Sequence, residues 1–251
     1  MAEQGYYERP VLLDRDRHRL RRVQPAAGYA FARKAHSVVL AGAEFGEAGK
    51  EYAIVFTRSP AAKVVPVAVL GLRAGDNLFV DDKGTWDARY VPAFVRRYPF
   101  VLAELPGQAS LAVCVDEAFP GWNVAEGEAL FDAEGKETAF LRNALEFLGQ
   151  YQREHQRTEA FCARLDQLGL LKEMNARANL RDGRAFTVDG LLVVDEQKLL
   201  ALPDAQALEL FRGGGLHLAS LHLASLSNLQ RLVDRMAQRA SPMAPAPQPL
   251  A

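Results

Sequence analysis

The spacing of apolar residues changes character near position 138, and that change limits the fold more than any motif does. Upstream lie short apolar runs broken by Gly, Pro and Asp: residues 37–42 (SVVLAG), 52–57 (YAIVFT), 64–72 (VVPVAVLGL), 77–80 (NLFV), 100–105 (FVLAEL) and 111–116 (LAVCVD). Runs of this length, bounded by turn residues, read as strands. Downstream, Phe140, Leu141, Ala144, Leu145, Phe147, Leu148 and Tyr151 recur at three- and four-residue intervals. That spacing predicts an amphipathic helix, with Thr138 as its N-cap. Strands followed by helices favour an α+β fold over a parallel βαβ array: an antiparallel, strand-rich N-terminal half packed with a helix-rich C-terminal half containing a small β-hairpin.

Taken in order, residues 1–35 read as an irregular arm with strand pieces near 11–13 and 29–31. The runs at 52–57 and 64–72 form a hairpin, and Pro66 assigns its second strand to an edge or a bulge, since proline donates nothing to a ladder. Residues 81–84 (DDKG) make a hairpin turn, and residues 92–98 a short helix that Pro92 opens and Pro99 stops. Thr158 is expected to cap a second helix that Gly169 closes. A hairpin over 178–188 turning at 181–183, a further strand at 191–194 and short helices at 195–202 and 203–212 follow. Gly213, Gly214 and Gly215 end them, before a strand-like 216–223 and a helix over 225–239. This divides the chain into a strand-rich portion (1–136), a helix-rich portion with the hairpin (137–240) forming one compact unit with the first, and a Pro/Ala-rich tail (241–251) expected to be disordered.

Thirty basic and 31 acidic residues leave a net charge of -1, which argues against a general electrostatic role on nucleic acid or an anionic membrane. No apolar run approaches the ~20 residues that span a bilayer, so no membrane insertion is expected. MAEQGYYERP lacks the pattern of a secretory signal, which points to a cytoplasmic protein. Cys114 and Cys162 sit in apolar runs and read as small core residues. His217 and His222 are five apart, ~140° around a helix or on opposite faces of a strand, so they present no shared metal site. His222 reads instead as a hydrogen-bonded core or interface histidine. The three consecutive glycines lack the strand-then-helix setting of a phosphate loop, and no Gly-x-Ser-x-Gly elbow is present. Neither a metal nor a cofactor is expected. Carboxylates are too many to pair on paper, Glu44 with Asp116 being one arbitrary example.

One stretch remains, residues 77–100 (NLFVDDKGTWDARYVPAFVRRYPF). Trp86, Tyr90, Phe94, Tyr98 and Phe100 interleave there with Arg89, Arg96 and Arg97. The plain reading makes the aromatics core and the arginines their cover. The functional reading is a recognition surface, because aromatics and arginine dominate interface hot spots and anion clamps. On a helix Arg96 and Arg97 point ~100° apart, so at most one faces inward.

The succession EYAIVF, VLGL, NLFVDDKGTWDARYVPAFVRRYPF, LFDAEG, VDEQKL, LPD and HLASL resembles the SapC-like bacterial proteins over residues 5–236. The specific part is Trp86, Tyr90, Val91, Pro92, Phe94, Val95, Arg96, Tyr98, Pro99 and Phe100; Ala53 departs from the proline expected in that strand. The resemblance implies an accessory role in secretion or modification of a surface protein (S-layer or TonB-dependent receptor) or in nutrient uptake. It implies as partner a flavin-dependent, tryptophan-halogenase-like or cupin-like enzyme, or an exported surface protein, and it brings no catalytic residues. The leading expectation is a non-enzymatic protein that binds a protein or peptide through Trp86, Tyr90, Arg96, Arg97 and Tyr98 together with His222 and Ser225. The alternative is a small-molecule-binding protein or enzyme with a pocket under residues 86–100.

Overall fold

The computed structural model describes residues 6–24, 28–104, 111–179 and 185–240; the 181–183 turn and the 241–251 tail lie outside them. In chain order the first elements are β1 (Pro10–Leu12), α1 (Arg15–His18), β2 (Arg22–Val23), β3 (Ser37–Val39), α2 (Phe45–Ala48), β4 (Ala53–Arg58) and β5 (Val64–Val69). Next come α3 (Ala93–Arg96), β6 (Phe100–Glu104), β7 (Leu111–Asp116), β8 (Trp122–Asn123) and β9 (Glu128–Ala129). The second half holds α4 (Ala139–Gln167), β10 (Leu171–Asn179), β11 (Ala185–Val194), α5 (Glu196–Leu200), α6 (Asp204–Arg212), α7 (Gly215–Ser225) and α8 (Asn228–Ala240). Antiparallel sheets dominate the first half and helices the second, an α+β fold.

The main sheet runs β10-β11-β4-β5-β3, and two three-stranded sheets run β1-β7-β6 and β8-β2-β9. Opposition of Leu192 to Phe56 joins the late hairpin to the early strands, so the main sheet is built from both halves. β5 is an interior strand, not an edge. Pro66 is tolerated because β3 pairs only with Val67 to Val69, leaving the proline nitrogen just past the end of that short ladder. Residues 191–194 belong to β11 itself rather than to a separate strand. Around Tyr29 the chain makes a 3-10 turn over Ala30–Ala32 instead of a strand. Residues 77–80 form only a single bridge, Val80 opposite Trp86. There the Asn77 side chain takes over the local pairing, donating to Ala32 O at 2.9 Å and accepting from Phe79 N at 2.8 Å.

The helical half departs from expectation at two places. Thr138 caps α4 as expected, accepting from Leu141 N, but the helix then continues unbroken for 29 residues. The polar gap QREHQR (152–157) is made of helix formers, so loss of the apolar stripe there marks exposure and not a break. Thr158 is therefore no cap. Its hydroxyl donates back to Glu154 O at 2.6 Å and accepts from the buried Gly42 N at 2.7 Å, tying α4 to the loop before α2. The second departure is α7, expected as a strand. LHLASLHLAS satisfies both periods over so short a run. Burial of Ala219, His222 and Ser225 at three-residue steps selects the helix, which follows Gly214 at φ 75°.

Two apolar clusters result, and α4 belongs to both. Leu141 and Leu148 pack with Phe100, Val115, Leu130 and Phe131; Tyr151, Phe161, Cys162 and Leu165 pack with the main sheet. At 1.5 Å per residue such a helix reaches ~44 Å, long enough to hold the two clusters together. Cys162 is buried, and burial raises its thiol to about 12, which fits its reading as a core residue. Because Thr158 links α4 to the Gly42 turn, Thr158→Val should strand a buried N–H and cost about 1–3 kcal/mol. A urea titration should show the midpoint lowered with the slope unchanged.

Candidate functional site

Residues 86–100 are held from two sides by buried carboxylates. Glu44 accepts from Ala93 N at 2.7 Å and Tyr90 Oη at 2.8 Å through one oxygen, and from Ala41 N at 2.8 Å through the other. Burial pushes its carboxyl above the ordinary range, while these three donors pull it back. Asp116 is fully buried and accepts from Glu8 N, Arg9 N and Ala118 N, each at 2.9 Å, and from Tyr98 Oη at 3.2 Å. The two acids that looked arbitrary as a pair in the sequence thus secure the two ends of one segment. Their signal was absent from the sequence because each finds most of its donors far along the chain.

Between these anchors α3 presents its arginines on different sides. Arg97 is 8% exposed, its guanidinium carbon 4.0 Å from the Phe94 ring centroid, 5.1 Å from Tyr151 and 5.7 Å from Tyr7. Arg96 is exposed; its Nε donates to Val91 O at 2.9 Å and its guanidinium lies 5.1 Å from the Phe147 centroid and 5.7 Å from Tyr90. Only one of the pair faces inward, as helix geometry requires. Tyr98 stacks on Phe31 at 4.1 Å, and its phenol is pushed up by burial and by the Asp116 charge. Trp86 donates from Nε1 to Tyr52 Oη at 2.8 Å, and Tyr52 in turn donates to Tyr90 O.

These groups border a cavity of about 980 Å³. Trp86, Arg96, Arg97 and Tyr98 line it. Tyr90, His222 and Ser225 do not, and the last two are wholly in the core. His222 accepts from Val194 N at Nε2 (3.1 Å), so its proton sits on Nδ1 and is donated to Ile54 O (2.8 Å). Ser225 accepts from Ile54 N at 3.0 Å and donates to His222 O at 2.6 Å. Both side chains fasten α7 to the sheet and share no surface with residues 86–100, which corrects the expectation that they extend the binding face.

The rest of the lining was read in the sequence as something else. Phe140, Ala144 and Phe147 belong to the apolar stripe of α4, yet they face the cavity, and Asn143 joins them. Phe31 and Phe119 come from segments with no periodicity at all. The remaining wall is the contact between two loops. Tyr29 N donates to Gly84 O at 2.6 Å, and a Cβ on Gly28 would meet that same oxygen at 2.8 Å, so only glycine permits the approach.

No group of three or more His, Cys, Asp or Glu converges as a metal site among the described residues, and no described helix is long and apolar enough to cross a membrane. The fold and site define an α+β protein with an aromatic, cation-bearing cavity bordered by the residue 86–100 segment. A family model described as SapC matches residues 13–232, and the chain belongs to the SapC family. No curated protein and no solved structure matches it.

Burial lowers His222 from 6.5 to about 4. A depressed folded-state value means that the contribution of the neutral ring is complete above the unfolded pKa and is lost as pH falls toward the folded one. Between pH 7 and pH 4.5 the wild type should lose about 2–3 kcal/mol more unfolding free energy than His222→Gln, measured by urea titration at both pH values.

Proposed function

We propose that this SapC-family chain is an accessory binding protein, which acts by holding an occupant in the cavity under residues 86–100 rather than by transforming it. The observation that carries this reading is the cavity itself: about 980 Å³, lined mainly by aromatic and aliphatic side chains with three cations and one amide. Ligand sites have this character, an apolar wall with a small number of placed polar groups. The lining offers donors and cations, in Lys83, Arg96, Arg97 and Asn143, but no carboxylate or imidazole to take a proton near neutrality. The segment that supplies one wall is also preorganised, since Asp116 holds Tyr98 and Glu44 holds the neighbouring Tyr90 and Ala93.

The test is to fill the space. Ala144 lies on the wall and is only partly buried, so Ala144→Trp should occupy the cavity from the α4 side. A neutral fluorescent dye such as Nile red should bind the wild type and fail to bind this variant at unchanged urea midpoint. Equal dye binding by both proteins would remove the cavity from consideration.

A second reading rests on the exposed Lys83, Thr85, Arg96 and Asn143 at the opening, which suit contact with a polypeptide such as a halogenase-like or cupin-like enzyme or an exported surface protein. Affinity capture from the native cell with the wild type and with Arg96→Ala decides it. One identified partner should be lost on substitution while the circular dichroism spectrum stays the same; retention of that partner by the variant would rule out Arg96 as its contact.

A further inference from the structure

Charge around the cavity departs from that of the chain. Acids and bases are nearly balanced overall, at 31 and 30, yet the 20 lining residues include Lys83, Arg96 and Arg97 and no Asp or Glu. Elsewhere arginines find carboxylates: Arg58 with Asp166, Arg164 with Glu209, Arg235 with Asp87. Among the described residues neither Arg96 nor Arg97 has one within ion-pair distance. The acid whose charge Arg96 influences is Glu44, and its oxygens are already taken by Ala41 N, Ala93 N and Tyr90 Oη. Arg97 is withdrawn from water with its Nε lacking a hydrogen-bond partner, and a side-chain hydrogen bond with Tyr7 together with aromatic faces supplies its compensation. Removing a guanidinium from water without an anion costs several kcal/mol, and two adjacent cations repel each other as well.

We propose that the cavity takes a small organic acid: one carboxylate on an aromatic or branched apolar body. The proposal rests on the binding reading above and adds the chemical class of the occupant. Arg96 is the group that meets the carboxylate. Its Nε is fixed on Val91 O and its plane rests near Phe147, so its orientation is set before the ligand arrives. Arg97 behind it and Lys83 on the opposite loop add positive potential with no acid among the lining residues, since Asp81 beside Lys83 is turned to the backbone N–H groups of Lys83 and Thr85, and the low-dielectric aromatic wall strengthens that potential. Phe31, Tyr98, Phe119, Phe140 and Phe147 receive the apolar body. Aromatic rings stack on such walls in offset or edge geometry, which favours a flat ligand over a globular one.

A matched pair of probes tests the proposal. 2-Naphthoate and 2-naphthamide share shape and differ in charge; each is titrated calorimetrically into the wild type and into Arg96→Gln, with Nile red as the neutral control. The acid should bind the wild type at least about tenfold more tightly than the amide, since a charge-assisted hydrogen bond is stronger than a neutral one, and Arg96→Gln should erase that preference so that acid and amide bind alike. Equal affinity of acid and amide for the wild type would overturn the acid class and leave the binding reading intact. Failure of both probes and of the dye would overturn the binding reading itself. If a peptide carrying acidic and aromatic side chains bound more tightly than the naphthoate and lost its affinity in Arg96→Gln, the occupant would be a polypeptide and the small-acid assignment would fall.

Discussion

Everything at the site depends on two carboxylates that have been taken out of water and given donors. Glu44 collects the N-terminal end of α3 and the Tyr90 phenol, and Asp116 collects the N-terminal arm and the Tyr98 phenol. A buried carboxylate without such donors would be costly, so each one enforces the backbone positions that satisfy it. Asp116 also stands at the end of β7, and its own N–H donates to Pro99 O, so the segment leaves α3 already in register with the β6–β7 pair. The arm that carries Tyr6 and Tyr7 is drawn in by the same residue through Glu8 N and Arg9 N. Tyr6 and Tyr7 then pack against Tyr98, which closes an aromatic cluster behind the cavity wall.

That arrangement explains how a guanidinium can be buried beside an open cavity. Arg97 is enclosed by Phe94, Tyr7 and Tyr151, rings contributed by α3, the arm and α4. Cation–π contacts strengthen when desolvated, and three faces together offset part of the cost of dehydration. Arg96, one residue earlier, rotates to the solvent side and rests by Phe147 of the same α4. α4 thus serves twice: its first turns wall the cavity and its later turns pack on the main sheet. Length is what permits both, and Thr158 ties the sheet side of the helix to the Gly42 turn.

Much of this was visible in the residues. The strand runs at 52–57, 64–72 and 111–116, the Thr138 cap, the Asp81 turn and the divergence of Arg96 and Arg97 follow from period, capping and turn chemistry. Legibility failed where one pattern supports two structures. LHLASLHLAS fits a strand as well as a helix, and QREHQR reads as a gap although it continues α4. His222 and Ser225, with their chemical look, turned out to be fasteners of α7 on β4. A hydroxyl or imidazole has the same letter in the sequence whether it meets a ligand or a backbone amide.

By itself, then, the sequence determined the α+β class, the family signature between Trp86 and Phe100, and the presence of aromatics and arginines in one short segment. Those properties are local: they come from spacing, propensity and turn residues within a few positions of one another. Only the tertiary structure decided that the segment borders a cavity, because its walls come from Tyr29 and Phe31, the Gly84 turn, Phe119 and the first turns of α4, brought together over more than a hundred residues. The same holds for charge. Which arginines are paired and which are left facing a ligand depends on where every carboxylate lands, and that placement is a property of the whole fold.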